Sequence, residues 1–147
     1  MQEESDVEIK RASEEDIKGI NKLMQVLLGD PIKDRKAYFA RAMVSDNYSA
    51  LIAVKVNEIV GFLDMWSFPD VGHGADLGII MNFIVAEKFR NKGIGSNLLQ
   101  EAIKLADERE LHELHVWTDF KNEAAIKTYK NLGFINECLL LEREFSQ

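Results

Sequence analysis

Cysteine is nearly absent: Cys138 is the single one in 147 residues. No internal disulfide is available, so the fold has to rest on its hydrophobic core. Cys138 lies in an apolar-rich stretch and is expected to be a small core residue rather than a nucleophile. Long apolar runs are also missing. None approaches the ~20 residues that a membrane-spanning helix needs, and the acidic start Met-Gln-Glu-Glu-Ser-Asp has no signal-peptide pattern. A soluble, cytoplasmic protein with no membrane partner is expected. There is no basic excess either. The formal net charge is −7 and no basic patch stands out, so no nucleic-acid partner is expected. An acidic surface keeps a protein soluble and leans towards cationic ligands. Repeats, low-complexity tracts and linkers are lacking, which leaves one domain over residues 1–147. No His/Cys/Asp cluster has metal-ligand spacing, so no metal is expected. His112 and His115 read as strand-end residues without partners.

What is present alternates between strand and helix patterns. Val7, Ile9 and Arg11 alternate with Glu8 and Lys10, a short strand. Ser13-Glu-Glu-Asp16 has the form of a capping box. Ile17, Ile20, Met24 and Leu27 follow it at helical spacing as far as Leu28, and Gly29-Asp30-Pro31 ends that helix. The Gly29–Lys33 elbow is a candidate substrate-facing loop or a plain connector. A second helix is expected from Asp34 to Val44, anchored by Tyr38 and Phe39. Ser49–Val56 and Ile59–Ser67 read as a hairpin turning at Asn57-Glu58. Phe68–Ala75, with Pro69, Gly72 and Gly74, reads as a loop. Ile79–Val85 is a strand buried on both faces. Leu98, Leu99, Ala102, Ile103 and Ala106 give the next segment a helical apolar face. His112–Thr118 is a strand. Asn122–Leu132 is a helix capped by Asn122 and stopped by Gly133, and Phe134–Phe145 is expected to close the chain as one or two strands. This order implies an α+β, mixed sheet with helices on its faces. Trp66 and Trp117 suit core or pocket-wall positions.

The stretch from Gly78 to Leu99 carries the chemistry. A buried strand runs into a charged loop, and Gly93-Ile94-Gly95-Ser96 then opens a helix. The free N–H groups of a first helical turn, with the helix dipole behind them, attract phosphate. Glycine at 93 and 95 lets the backbone approach the anion. A P-loop is excluded because no glycine stands at its first position. A dinucleotide fingerprint fits poorly, because Leu98 occupies the third glycine position and the loop does not follow the first strand.

Phe83-Ile-Val85-Ala-Glu-Lys-Phe-Arg90-Asn-Lys-Gly93-Ile-Gly95-Ser-Asn-Leu-Leu99 resembles the acetyl-CoA motif of the GNAT superfamily of N-acetyltransferases. Asn122-Glu-Ala-Ala-Ile-Lys-Thr-Tyr129-Lys-Asn-Leu-Gly133-Phe134 is similar to that superfamily's next motif, and Ile59-Val-Gly61-Phe62 fits its third strand. The resemblance implies a mostly antiparallel central sheet with a splayed parallel strand pair and helices on both faces. It implies acetyl-CoA as co-substrate, without a metal, and direct attack by a primary amine in a ternary complex. A catalytically silent acyl-CoA-binding module, acting as a sensor or partner domain, is the alternative reading.

The resemblance carries over residue by residue. Arg90, Asn91, Lys92, Gly93, Ile94, Gly95 and Ser96 would hold the pyrophosphate. Phe83, Ile84 and Val85, beside a bulge expected within Asn82–Val85, would hold the pantetheine arm. Asn122, Ala125 and Tyr129 share one helix face, with Ala125 leaving room for the arm and Tyr129 protonating the leaving thiolate. The amine also needs a base. Met81-Asn82 stands where many members of the superfamily carry a carboxylate, which leaves Asp64 and Asp76 as candidates and His73 as a third. The acceptor, a small-molecule or peptide amine, stays open among polyamine, aminoglycoside-like compound, amino acid and protein N-terminus. A homodimer through the last strand is plausible on this pattern.

Overall fold

The computed structural model describes residues 6–29 and 34–146. Along the chain these form β1 (Val7–Arg11), α1 (Ile17–Leu28), α2 (Lys36–Met43), β2 (Tyr48–Lys55), β3 (Glu58–Asp70), β4 (Ala75–Val85), α3 (Ile94–Glu108), β5 (Glu113–Val116) and α4 (Glu123–Asn131). One five-stranded sheet runs in the order β1-β2-β3-β4-β5. Its first four strands are antiparallel and β4–β5 is parallel. The expected α+β architecture is therefore present.

Side-chain alternation along the strands divides the core between the two sheet faces. Tyr48, Ala50, Ile52 and Phe62 pack under Ile20, Leu23 and Met24 of α1 and Phe39 of α2. Leu51, Ala53, Leu63 and Met65 pack under Ile94, Leu98, Leu99, Ala102 and Leu105 of α3. Helices thus cover both faces, as the resemblance implied. Among the described residues no helix is long and apolar enough to cross a membrane.

Local chemistry explains most boundaries. The Ser13 N–H donates to Asp16 Oδ2 at 2.8 Å, so the capping box forms, over a single 3-10 turn that leads into α1. Gly29, at φ 63°, closes α1. The rest of the expected Gly29–Lys33 elbow lies outside the described residues. Asp34 Oδ1 accepts from the Lys36 N–H, and α2 starts there, two residues later than its pattern suggests. Phe39 is buried but Tyr38 is 70% exposed, because neighbours on a helix cannot both face the sheet.

Four expectations need correction. The β2–β3 turn is at Val56-Asn57, both in the left-handed region, one residue earlier than Asn57-Glu58. The register slips between Ala53 and Val54, so one extra β3 residue is absorbed before the turn. The expected loop Phe68–Ala75 shrinks to a turn over residues 71–74, because β3 and β4 pair as far as Asp70↔Ala75. Pro69 is tolerated in β3 because β2 ends at Tyr48↔Trp66. Its nitrogen faces the side beyond that end, where no strand needs a donor.

The third correction is at the C-terminus. Residues 134–146 form no strand. Ile135, Leu139, Leu141 and Phe145 are exposed, and so is Cys138, which is not a core residue. Alternation makes a segment fit for a sheet, but a strand exists only through a partner, and none of the described strands pairs with this one. The fourth concerns the central strand, whose last part is only partly buried and whose Met81 is 41% exposed. The reason lies in how β4 parts from its neighbours.

Candidate functional site

The β3–β4 register is regular from Asp70↔Ala75 to Met65↔Ile80 and then jumps to Asp64↔Asn82. Met81 is therefore an extra residue, a bulge on β4. It stands immediately before the Asn82–Val85 stretch in which the bulge was expected. The β4–β5 pairing runs only from Leu77↔Glu113 to Ile80↔Val116 and stops at the same point. Past Ile80, β4 has β3 on one side and an open edge on the other. The N–H groups of Asn82 and Ala86 point towards β3, donating to Asp64 Oδ1 (2.9 Å) and the Val60 carbonyl (2.8 Å). Strand alternation then turns the polar backbone of Phe83 and Val85 to the open edge. The Val85 carbonyl accepts from Arg90 Nε at 2.9 Å.

The chain leaves β4 through a 3-10 turn, Glu87–Phe89, and enters α3 with Asn91 at φ 63° and Gly93 at φ 85°. Gly93 is the N-cap in a left-handed conformation that a Cβ would strain. The first intrahelical bond runs from the Asn97 N–H to the Gly93 carbonyl, and no side chain caps the helix. The N–H groups of Ile94, Gly95 and Ser96 therefore have no place in the helical ladder. A Cβ on Gly95 would lie 3.5 Å from both Phe83 Cζ and Val85 Cγ2, so this first turn sits directly over the open end of β4. Lys55, Lys88 and Lys92 place their ammonium groups 5.6, 5.3 and 6.0 Å from the centre of the Phe89 ring. They add positive potential beside the loop.

Asn122 caps α4, its Oδ1 accepting from the Ala125 N–H at 3.1 Å. Two turns on, the half-buried Tyr129 ring lies 6.3 Å from Phe83 and 6.0 Å from Phe134. Phe83 thus joins the open strand edge, the glycine turn and Tyr129. Burial pushes the Tyr129 phenol above the ordinary tyrosine value.

Of the candidate bases, only Asp64 stands at the bulge. It is 6% exposed. Its carboxylate accepts from the Tyr48 hydroxyl (2.6 Å), the Asn82 backbone N–H (2.9 Å) and the Asn82 side-chain amide (3.0 Å). Burial pushes its pKa above the usual carboxylate range, against the lowering effect of these donors. Burial and the nearby Asp64 charge also raise Tyr48 well above the ordinary tyrosine value. Tyr48 escaped the sequence reading, although the hairpin register holds its signal: Ala50 pairs with Asp64, and Tyr48 is the next residue on that face. Asp76 is exposed and pairs with Pro69 at the other end of β4. It lies five residues from the bulge, about 17 Å along a strand, and is not brought to this site. His73 is in the turn at that same far end. His112 and His115 do have partners there: His73 and His112 rings are 5.2 Å apart, and His115 Nε2 is 2.9 Å from Glu113 Oε1. On the sheet face that Asp64 occupies, Tyr38, Arg41, Ala42 and Trp66 line an open cleft of about 360 Å³. The Arg41 guanidinium lies 5.5 Å from the Tyr38 ring centre. Trp66 is thus a pocket wall, as its sequence position suggested, and Trp117 is 43% exposed.

The splayed strand pair, the uncapped helix start over its open end and Tyr129 beside Phe83 thus meet in one place. A model of the Acetyltransferase (GNAT) family matches residues 20–134, and the chain belongs to that family. It is 38% identical over 60 residues to N-alpha-acetyltransferase 30 of Xenopus laevis, a match covering 41% of this chain and 22% of that protein. The match thus spans about a fifth of the length of that relative. An N-alpha-acetyltransferase of Sulfolobus acidocaldarius is 28% identical over 116 residues, 74% of this chain and 68% of that one. Among solved structures, a transcriptional regulator from Bacillus halodurans C-125 superposes with a TM-score of 0.86 at 25% identity, covering 95% of this chain and 99% of that one. An aminoglycoside acetyltransferase from an uncultured soil metagenomic sample shares the fold, with a TM-score of 0.82 at 19% identity over 97% of each chain.

Proposed function

We propose that the protein transfers the acetyl group of acetyl-CoA to an α-amino group, by direct attack in a ternary complex. The observation that carries this reading is the open β4 edge at Phe83 and Val85 beneath the free N–H groups of Ile94, Gly95 and Ser96. The helix start takes the pyrophosphate. The strand edge takes the amides of the pantetheine arm, as one more strand would, with Arg90 releasing the Val85 carbonyl as it does so. The amine nitrogen attacks the thioester carbonyl carbon, the C–S bond breaks, and the thiolate takes the proton of the Tyr129 hydroxyl. Solvent returns that proton to Tyr129 and accepts the one lost by the amine.

The α-amine follows from the poverty of bases. Met81 occupies the bulge, and the lone pairs of Asp64 already serve Tyr48 and Asn82. Deprotonating a lysine-like ammonium at pH 7 costs about 4–5 kcal/mol, but an α-ammonium of pKa about 7.7–8.0 costs only about 1 kcal/mol. Solvent suffices for the second. In this reading Asp64 is a positioning residue that holds the bulge through Asn82. The Sulfolobus acidocaldarius relative, named an N-alpha-acetyltransferase, supports an α-amine acceptor. The test has two arms. Isothermal titration should show acetyl-CoA binding that Gly93→Glu abolishes; no binding by the unaltered protein refutes the cofactor. A thiol-release assay with acetyl-CoA should then favour peptide N-termini over ε-amines; a preference for lysine side chains or polyamines refutes the acceptor.

A further inference from the structure

The chain has three histidines, and the fold gathers all of them at the end of the sheet opposite the glycine turn. The 71–74 turn carries His73. The parallel register Leu77↔Glu113, with the His112 N–H donating to the Asp76 carbonyl at 2.8 Å, lays residues 112–115 beside it. The arrangement is ordered in two shells. Asp70 Oδ2 accepts from the His73 backbone N–H at 2.9 Å and meets His73 Nδ1 at 2.5 Å. That holds Nδ1 on Asp70 and, in the neutral ring, leaves the Nε2 lone pair facing outward. Yet Nε2 looks at Glu113 Oε2, 3.3 Å away. A proton on Nε2 makes this contact an ion pair, and in the neutral ring a metal ion between the two atoms does the same. The other Glu113 oxygen is held by His115 Nε2 at 2.9 Å. One donor atom each from His73, His112 and Glu113 lies within 4.8 Å of the others. Tetrahedral ligands at 2.0–2.1 Å from a metal are about 3.3 Å apart, within reach of small rotations of these exposed side chains.

We propose that His73, His112 and Glu113 bind a divalent metal ion of the zinc class, with water completing the coordination and with Asp70 and His115 orienting His73 and Glu113. Two imidazoles and one carboxylate suit Zn2+ and not Mg2+ or Ca2+, which prefer oxygen alone. A ligating histidine whose second nitrogen is held by a carboxylate is the usual outer arrangement of such sites. The ion ties the β3–β4 turn to the start of β5, and so fastens the parallel pair just upstream of where it splays.

The site is independent of acetyl-CoA and is tested without it. Full-length protein free of any histidine tag is stripped with chelator and titrated with Zn2+ in a calorimeter. One ion per chain is expected, with affinity lowered at least tenfold in His73→Ala and in His112→Ala. In Asp70→Asn it should fall by about 10–100-fold, the usual cost of losing an outer partner. All three positions are on the surface, and circular dichroism confirms that the variants fold. Zn2+ should also raise the melting temperature of the unaltered protein and leave that of the His73→Ala/His112→Ala double variant unchanged. No uptake, uptake unaffected by the histidine variants, or equal binding of Mg2+ overturns the proposal.

Discussion

Asp64 tests the bulge most sharply. Replacing it by alanine leaves the Tyr48 hydroxyl, the Asn82 N–H and the Asn82 side-chain amide without their acceptor in a site where Asp64 is 6% exposed. Each unsatisfied buried donor costs about 1–3 kcal/mol, so roughly 3–9 kcal/mol is expected for the three. Domain stabilities are about 5–15 kcal/mol, so Asp64→Ala should be severely destabilised. Asp64→Asn keeps the shape and part of the network, and about 1–2 kcal/mol is expected. The pH dependence separates charge from shape. Burial holds the folded Asp64 pKa above its unfolded value, more strongly than its three donors lower it. A raised acid favours the folded state most below the unfolded pKa of about 3.9. It loses that contribution as pH rises through the folded pKa, and changes no further above it. Asparagine has no such term. Urea denaturation of the unaltered protein and of Asp64→Asn over a series of pH values upward from about pH 4 should give a stability difference that falls as pH rises. A difference that rises with pH means the donors outweigh burial and refutes the reasoning. Full stability in Asp64→Ala refutes the network itself.

Gly93→Ala meets no atom within 4 Å of its new Cβ, so its cost is the left-handed backbone alone, about 1–2 kcal/mol; denaturant unfolding checks this, and unchanged stability contradicts it. Gly95→Ala should do the opposite, gaining about 0.5–1 kcal/mol of helix stability while weakening acetyl-CoA binding, because its Cβ enters the space over Phe83 and Val85. Calorimetry with unchanged affinity would remove Gly95 from the cradle. Tyr129→Phe should lower kcat by about 10²–10⁴-fold with KM nearly constant. Burial keeps the phenol protonated beyond its ordinary pKa of about 10, so turnover of the unaltered enzyme should hold to that pH. An alkaline loss that begins lower and vanishes in Tyr129→Phe contradicts the raised pKa.

Local patterns in the sequence carried the helices well. The α3 face of Leu98, Leu99, Ala102 and Ala106 is buried as its spacing requires, and Asn122 and Gly133 bound α4 where cap chemistry puts them. The glycine turn and the Tyr129 helix were legible because their spacing is local. What failed was non-local. Residues 134–145 have strand composition, but pairing is a property of two segments, and one sequence window contains only one of them. Pro69 argued for a loop until the end of β2 showed that its side of β3 needs no donor. Tyr48 on Asp64, and His73 beside Glu113, are meetings across strands separated by 16 and 40 positions. No periodicity records them.

Met81 has one effect that no side chain exerts. Ile80 lies in the core under α3 and Ile84 in the core under α1, although residues an even number apart on an unbroken strand share a face. The extra residue works as a frame shift written in geometry: upstream of it even positions face one helix layer, downstream they face the other. Deleting it would restore a continuous ladder and carry Asn82, Phe83, Ile84 and Val85 each to the wrong side of the sheet. A substitution scan along β4 would pass over this, since any residue at 81 preserves the count. At that position the length of the chain sets the face of every residue that follows, whatever side chain stands there.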